Sequence, residues 1–241
     1  MISTEHMSDL FVEVADTLVD EFDVVDFLHN LTVHAATISG AQAAGLMLTD
    51  QMGRLQFMAA SHPGGEALEL FQLQNSEGPC LDCFTTGEPI VNADLTRATD
   101  RWPTFAPRAR QLGFQSVHAF PMRLRDNVIG ALNLFGAATA SFDETEVRLV
   151  QALADVATIA LMQERAIRRA EELTEQLQGA LTSRVVIEQA KGALAALLGI
   201  SPEEAFEVLR TRARSHQQRL AEVAQAVLDG RYDPGELPRA E

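Results

Sequence analysis

Cys80-Leu81-Asp82-Cys83 holds the only two cysteines of this 241-residue chain. Thiols at this spacing can supply half of a tetrahedral zinc site, or form a redox pair. The other half of a zinc site is not legible. The six histidines, His6, His29, His34, His62, His118 and His216, stand singly and share no ligand spacing. No metal site is therefore expected, and the thiols read as packing beside a pocket, with a redox switch left open. His118 lies in the apolar run Ser116–Pro121, where it either faces a ligand pocket or is a hydrogen-bonded core or surface histidine. Trp102, the sole tryptophan, is either part of a lid over the same pocket or a packing anchor. Cys80, Cys83, Trp102 and His118 are thus the candidate ligand pocket. No glycine-rich phosphate loop, no nucleophile with a partner base and no carboxylate pair in an acid/base arrangement can be found. The expectation is a protein without enzymatic activity.

A second group of residues suits the binding of phosphate and bases. Arg184 and Lys191, two helical turns apart, fall with Glu188 on the polar side of a helix beside Gly192 and Ala195. Val186, Ile187, Ala190, Ala193, Leu194, Leu197 and Leu198 share its apolar face. Gly192 costs about 1 kcal/mol against Ala in a helix interior, so it asks for a reason. A lysine beside a glycine is a place where a bulky partner can approach the backbone. Arg212 and Arg219 project from the shoulders of two following helices, and His216 starts the third. Each arginine can meet phosphate or stack on an unpaired base, and His216 can stack. The competing reading of all of them is solvated surface charge. Arg184, Lys191, Gly192, Arg212, His216 and Arg219 form the candidate RNA-binding set.

The elements that carry this second set are punctuated clearly. Gly199 is suited to a left-handed helix cap. Ser201-Pro202-Glu203-Glu204 then restarts a helix with a capping box. That helix sets Ala205, Phe206, Leu209 and Ala213 inward and Glu207, Arg210 and Arg214 outward. A third sets Leu220, Val223, Ala224, Val227 and Leu228 inward and closes at Gly230. Upstream, two helices are expected between Asp9 and Ile38, with a break near residues 21–23. Strands follow at 45–49 and 55–60, a short helix at 66–73, and a short helix and strand within 77–92. A helix at 102–112 precedes a hairpin of strands 116–124 and 128–135. This order implies an α+β domain, an antiparallel sheet between helical layers. Asp143 caps the next helix, which either ends near Arg168 or runs unbroken from 144 to 198. Leu153, Ala160, Ile167, Thr174 and Leu181 form one seven-residue row, and Val156, Gln163, Ala170, Leu177 and Arg184 a second. A parallel homodimer through 150–181 is the expected assembly.

Charge divides the chain in the same way. Residues 1–150 carry 8 Lys/Arg against 20 Asp/Glu, whereas residues 182–231 carry 7 against 6. The acidic part repels phosphate, and the C-terminal part does not. No apolar run approaches the ~18 residues of a membrane span, and the acidic N-terminus is unlike a signal peptide. No membrane association and a cytoplasmic location are expected.

The run Ser183-Arg184, Ile187-Glu188-Gln189-Ala190-Lys191-Gly192, Gly199-Ile200-Ser201, Glu204-Ala205-Phe206, Leu209-Arg210, Ala213-Arg214, Leu220 and Val223-Ala224 resembles the ANTAR family. These are RNA-binding modules of bacterial transcription antiterminators. The resemblance implies binding to paired stem-loops of a nascent transcript, which prevents a terminator hairpin from forming. Upstream, Glu77-Gly78-Pro79-Cys80, Thr86-Gly87-Glu88-Pro89-Ile90, Arg101-Trp102-Pro103, Gly113-Phe114-Gln115-Ser116 and Val128–Leu134 resemble a GAF domain, a sensory module that binds small molecules. No motif selects a ligand, so the cofactor is unknown. The expected organisation is a GAF-like sensory domain at 8–165, a helical connector at 166–181, an ANTAR-like three-helix unit at 182–230 and a disordered tail at 231–241. Two alternatives stay open: a signalling adaptor whose C-terminal helices bind protein, and a DNA-binding helix-turn-helix regulator.

Overall fold

The structure, a computed structural model, describes residues 23–139 and 142–231. The first of the two expected N-terminal helices lies outside these residues, as does the expected tail beyond Arg231. Two compact units divide the chain, Met1–Arg165 and Ala166–Glu241.

In the first unit, helix α1 (Val24–Ser39) starts at Asp23, whose carboxylate accepts from the backbone N–H groups of Val25 and Asp26. It ends at Gly40, in the left-handed region at φ 67°. Strands β1 (Ala43–Thr49) and β2 (Leu55–Ala60) form a hairpin. Helices α2 (Pro63–Asn75) and α3 (Pro79–Thr86) follow, then β3 (Ile90–Asp94), a 3-10 turn at Ala98–Asp100 and helix α4 (Phe105–Gln111). Strands β4 (Ser116–Leu124) and β5 (Asn127–Gly136) close the sheet, whose order is β2-β1-β5-β4-β3 with every neighbour antiparallel. The expected α+β architecture is what the chain adopts.

Helices cover both faces of the sheet, and this explains the near-continuous apolar runs of β1, β4 and β5. On one face Leu46, Leu48, Phe120, Met122, Leu132 and Leu134 pack on α1 and on the first turns of the long helix that follows. On the other, Ala43, Met47, Val117, Ala119, Ala131 and Phe135 pack on α2, α3 and α4. Two helix starts differ from expectation. Helix α2 begins at Pro63, three residues early, because the His62 ring caps Gly64 N–H and Pro suits the first helical position. Helix α4 begins at Phe105 rather than Trp102, because Pro103 biases Trp102 away from helical backbone. The Glu77 carboxylate caps α4 from 27 residues away, accepting from Thr104 N–H and Oγ1 and from Phe105 N–H.

Helix α5 (Glu144–Leu198) is one unbroken helix of 55 residues. It starts at the expected cap: Asp143 accepts from Thr145 and Glu146, and Glu146 accepts from Asp143 N–H. In the second unit the last turns of α5 pack with α6 (Pro202–Ser215) and α7 (Leu220–Leu228). Gly199, at φ 66°, ends α5, and the capping box of Ser201 and Glu204 starts α6. The inward face is narrower than expected. Ala190, Leu194, Ala205, Val208, Leu209, Ala213, Val223 and Ala224 are buried. Ala193 and Leu198 are exposed, as is Leu197 at 64%; of the expected apolar face of α5, Ala190 and Leu194 are buried and Val186 and Ile187 are half-buried. Leu228 is exposed, and Val208 takes the buried place expected of Phe206, which is half-buried.

Candidate nucleic-acid interface and sensory site

In the second unit, burial of Ala190 and Leu194 turns Lys191 toward α6 rather than straight out to solvent. Its side chain is only 19% exposed. The ammonium lies 2.9 and 3.1 Å from the two oxygens of Glu188 and 5.7 Å from the centre of the Phe206 ring. The stem therefore covers an aromatic face while the charge is shared between a carboxylate and a π-system. Gly192, next in sequence, is exposed, and a Cβ built on it meets nothing within 4 Å. Among the described residues of the second unit no contact requires glycine there.

Arg184 is exposed two turns before Lys191. At the corner between α6 and α7 the chain gathers Arg212, His216 and Arg219. His216 caps α6, its Nδ1 2.8 Å from Ser215 Oγ and 3.2 Å from the Arg212 carbonyl. Arg219 caps α7 and donates its backbone N–H to Glu222 at 3.3 Å, which leaves the guanidinium side chain exposed. Arg212 is half-buried, consistent with its shoulder position. Arg210, expected in a solvated ladder, is also half-buried: it pairs with Glu207 at 3.0 Å, but its Nε is buried without a hydrogen-bond partner among the described residues.

Sequence reasoning missed a cavity of about 350 Å³ between α5 and α7. Thr182, Ser183, Val186, Ala221, Glu222, Gln225 and Arg231 line it. At about 100° per residue, Lys191 stands about 140° round α5 from Val186, so cavity and lysine occupy different sides of the helix. The adjacent hydroxyls one turn before Val186 were the signal that could have revealed it.

In the first unit, Cys80, Cys83 and Trp102 come together in the core beneath α2, α3 and α4. Trp102 Nε1 and Arg101 Nε both donate to Asp82, between the two cysteines, at 3.1 and 3.0 Å. The tryptophan is thereby tied to α3 as an anchor. His118 does not join them. Its neighbours Val117 and Ala119 face that core, whereas His118 points to the opposite face and stacks on Phe142, ring centres 3.9 Å apart. Burial pulls its pKa down to about 4, so the ring is neutral at physiological pH.

The same core holds a polar chain that the sequence did not suggest. Glu69 is fully buried and accepts from Gln72 Nε2 at 2.9 Å and from Asn133 Nδ2 at 2.7 Å. Gln72 Oε1 in turn accepts from the Cys80 backbone at 2.8 Å. Room for the carboxyl comes from Gly45, where a Cβ would stand 2.3 Å from Glu69 Oε1. Burial pushes the Glu69 pKa up to about 8, against the pull of the Asn133 hydrogen bond. A neutral acid needs an acceptor for its proton, and Asn133 Oδ1 is buried beside it without a partner among the described residues. A half-turn of the Asn133 amide would present that oxygen to the acid.

Both thiols are raised for the same reason. Burial lifts Cys80 well above its ordinary value, helped by Glu69, and lifts Cys83 to about 12. Protonated, buried thiols are poor nucleophiles and poor metal ligands. Iodoacetamide at pH 7.5 should alkylate the native protein at least about 100-fold more slowly than the urea-unfolded chain. Equal rates would mean that α3 opens readily. Among the described residues no group of three or more His, Cys, Asp or Glu could hold a metal ion.

Comparison with known proteins divides the chain along the same lines. The GAF domain family matches residues 23–162, and the ANTAR domain family matches residues 175–228. No curated protein matches the chain. Among solved structures, the GAF domain of a phosphoenolpyruvate-protein phosphotransferase from Coxiella burnetii is 18% identical, covering 69% of this chain and 99% of that one, with a TM-score of 0.53. The corresponding domain from Acinetobacter is 16% identical over 69% and 98%, with a TM-score of 0.52. A putative two-component sensor histidine kinase domain from Sinorhizobium meliloti is 16% identical over 63% and 99%, also at 0.52. At such identity the likeness is one of fold.

Proposed function

From the premise that the chain belongs to the GAF domain family, with an ANTAR domain behind it, we propose that it senses a small molecule and binds stem-loops of nascent RNA to control transcription termination. Both domains are regulatory rather than catalytic, and the general kind is a signal-transducing, RNA-binding antitermination regulator. The observation that carries the finer reading is the ANTAR match over 175–228, which falls on a unit whose cations line one helix and one corner. We assign RNA contact to Arg184, Lys191, Gly192, Arg212, His216 and Arg219. Ligand sensing is assigned to the first unit near Cys80, Cys83 and Trp102, with 166–181 as a connector whose last seven residues fall inside the ANTAR match. Among the described residues no single helix is long and apolar enough to cross a membrane, and a cytoplasmic location is part of the proposal.

Homodimerisation is supported by α5 itself. Ile167, Leu173, Leu177 and Leu181 are all exposed on it. Water is a poor neighbour for these side chains, which spread over about a third of the helix circumference, and a second copy of the same helix would cover them and bring two RNA-binding units together.

The test is binding of the whole protein to a two-hairpin RNA and to a scrambled control, over a salt series. Selective binding should weaken about tenfold or more across a fourfold rise in salt if about three phosphates are contacted. Absence of selective binding at low salt, in dimeric protein, would favour the adaptor reading. Competition by duplex DNA would favour the DNA-binding one.

A further inference from the structure

Strand β3 is one edge of the sheet and touches both sides of it. Ile90 packs into the core that holds Cys80, Cys83 and Trp102. Two residues on, the register with β4 slips between Ile90 and Ala93, and Asn92 adopts φ 56°. Outside glycine this left-handed conformation is uncommon and carries a cost, although asparagine tolerates it best.

The cost is matched by three hydrogen bonds. Asn92 Oδ1 accepts from Phe142 N–H at 2.7 Å, and Asn92 Nδ2 donates to the Phe142 carbonyl at 3.1 Å. The Asn92 backbone N–H donates to His118 Nδ1 at 3.1 Å, and the His118 ring stacks on Phe142 at an interplanar angle of 14°. One side chain thus holds both polar groups of a single backbone residue, as a neighbouring strand would. That residue immediately precedes Asp143, the cap on which α5 starts.

We propose that Asn92, His118 and Phe142 form a latch that passes displacement of β3 to the first turns of α5. It rests on the sensor-and-output reading, because it supplies the route by which filling of the α2–α4 core would reach the helix that runs into the RNA-binding unit. A ligand that pushes Ile90 moves Asn92, two residues along the same strand. The amide pair and the stacked rings then carry Phe142, and with it the capping box.

Amide hydrogen exchange on the full chain tests this without RNA. Asn92→Gly keeps the left-handed backbone accessible and removes both side-chain bonds. His118→Phe keeps an aromatic stack and removes the acceptor. Both should speed exchange of residues 147–161 about tenfold while β1 and β5 amides stay as in the parent. Unchanged exchange in 147–161 overturns the latch. Faster exchange confined to residues 143–146 overturns it as well, because the contact would then be only a local cap. If Asn92→Gly also loosens β1 and β5, the fold has been damaged and His118→Phe decides by the same criteria. Since the reading is taken in α5, failure of the latch is distinct from failure to bind RNA.

Discussion

Glu69→Gln should make the first unit more stable, and more so at pH 8 than at pH 5. Glu69 has its folded pKa raised from 4.5 to about 8 by burial. Between those values the unfolded chain has released the proton while the folded chain keeps it, so stability falls as pH rises through this window. Below the lower value there is no penalty, and above the upper one the penalty is constant. At pH 7 the gap spans about 2.5 pH units, a penalty on the order of 3 kcal/mol at about 1.4 kcal/mol per unit. Glutamine is nearly isosteric, keeps an acceptor for Gln72 or Asn133 and offers the N–H that the neutral acid offers as O–H. The variant should therefore melt about 6 to 12 °C higher at pH 7 and nearly as the parent does at pH 4.5. Fluorescence of Trp102, the sole tryptophan and buried in the same core, follows the transition in the full chain. Parallel pH profiles for variant and parent would mean that Glu69 is ionised and held by Gln72 and Asn133.

Glu69 also shows where reading a sequence stops. In Glu69-Leu70-Phe71-Gln72 a carboxylate and an amide stand at i and i+3 on a short helix, which reads as a solvated face. What makes room for the carboxylate is Gly45, more than twenty residues away, and for the amide Gly78, and no local pattern announces the Gly45 pairing. The side that His118 takes was open for a related reason. A strand buried on both faces has no alternation from which to choose a side, so its pocket or core placement rested on residues outside β4. Local signals were legible where they are chemically local. The Asp143 and Ser201 capping boxes and the Gly199 stop stand as read, and so do both hairpins, because side chains and backbone within a few residues determine them. Helix α5 sat between these cases: its periodicity allowed an end near Arg168, and nothing within it breaks the hydrogen-bond ladder before Gly199.

Gly192 and Lys191 should separate stability from RNA affinity. Gly192→Ala adds a methyl group into open space and removes the helix penalty of glycine, so the free protein should gain about 0.5–1 kcal/mol. If RNA backbone approaches α5 there, the same methyl group weakens binding, and Gly192→Leu abolishes it with the fold intact by circular dichroism. Lys191 requires a more careful substitution than alanine, because its stem covers Phe206 and truncation would loosen α5 against α6. Lys191→Met keeps the stem and removes the charge. Its affinity for the two-hairpin RNA should fall about tenfold, and the slope of log affinity against log salt should shrink by about 1. Glu188 already occupies the ammonium, so a phosphate must displace it, and Glu188→Gln should tighten binding about threefold. A Gly192→Leu protein that binds RNA as the parent does would move the interface away from this side of α5. The cavity lined by Thr182, Ser183 and Gln225, on another side of the same helix, would then be the surface to substitute next.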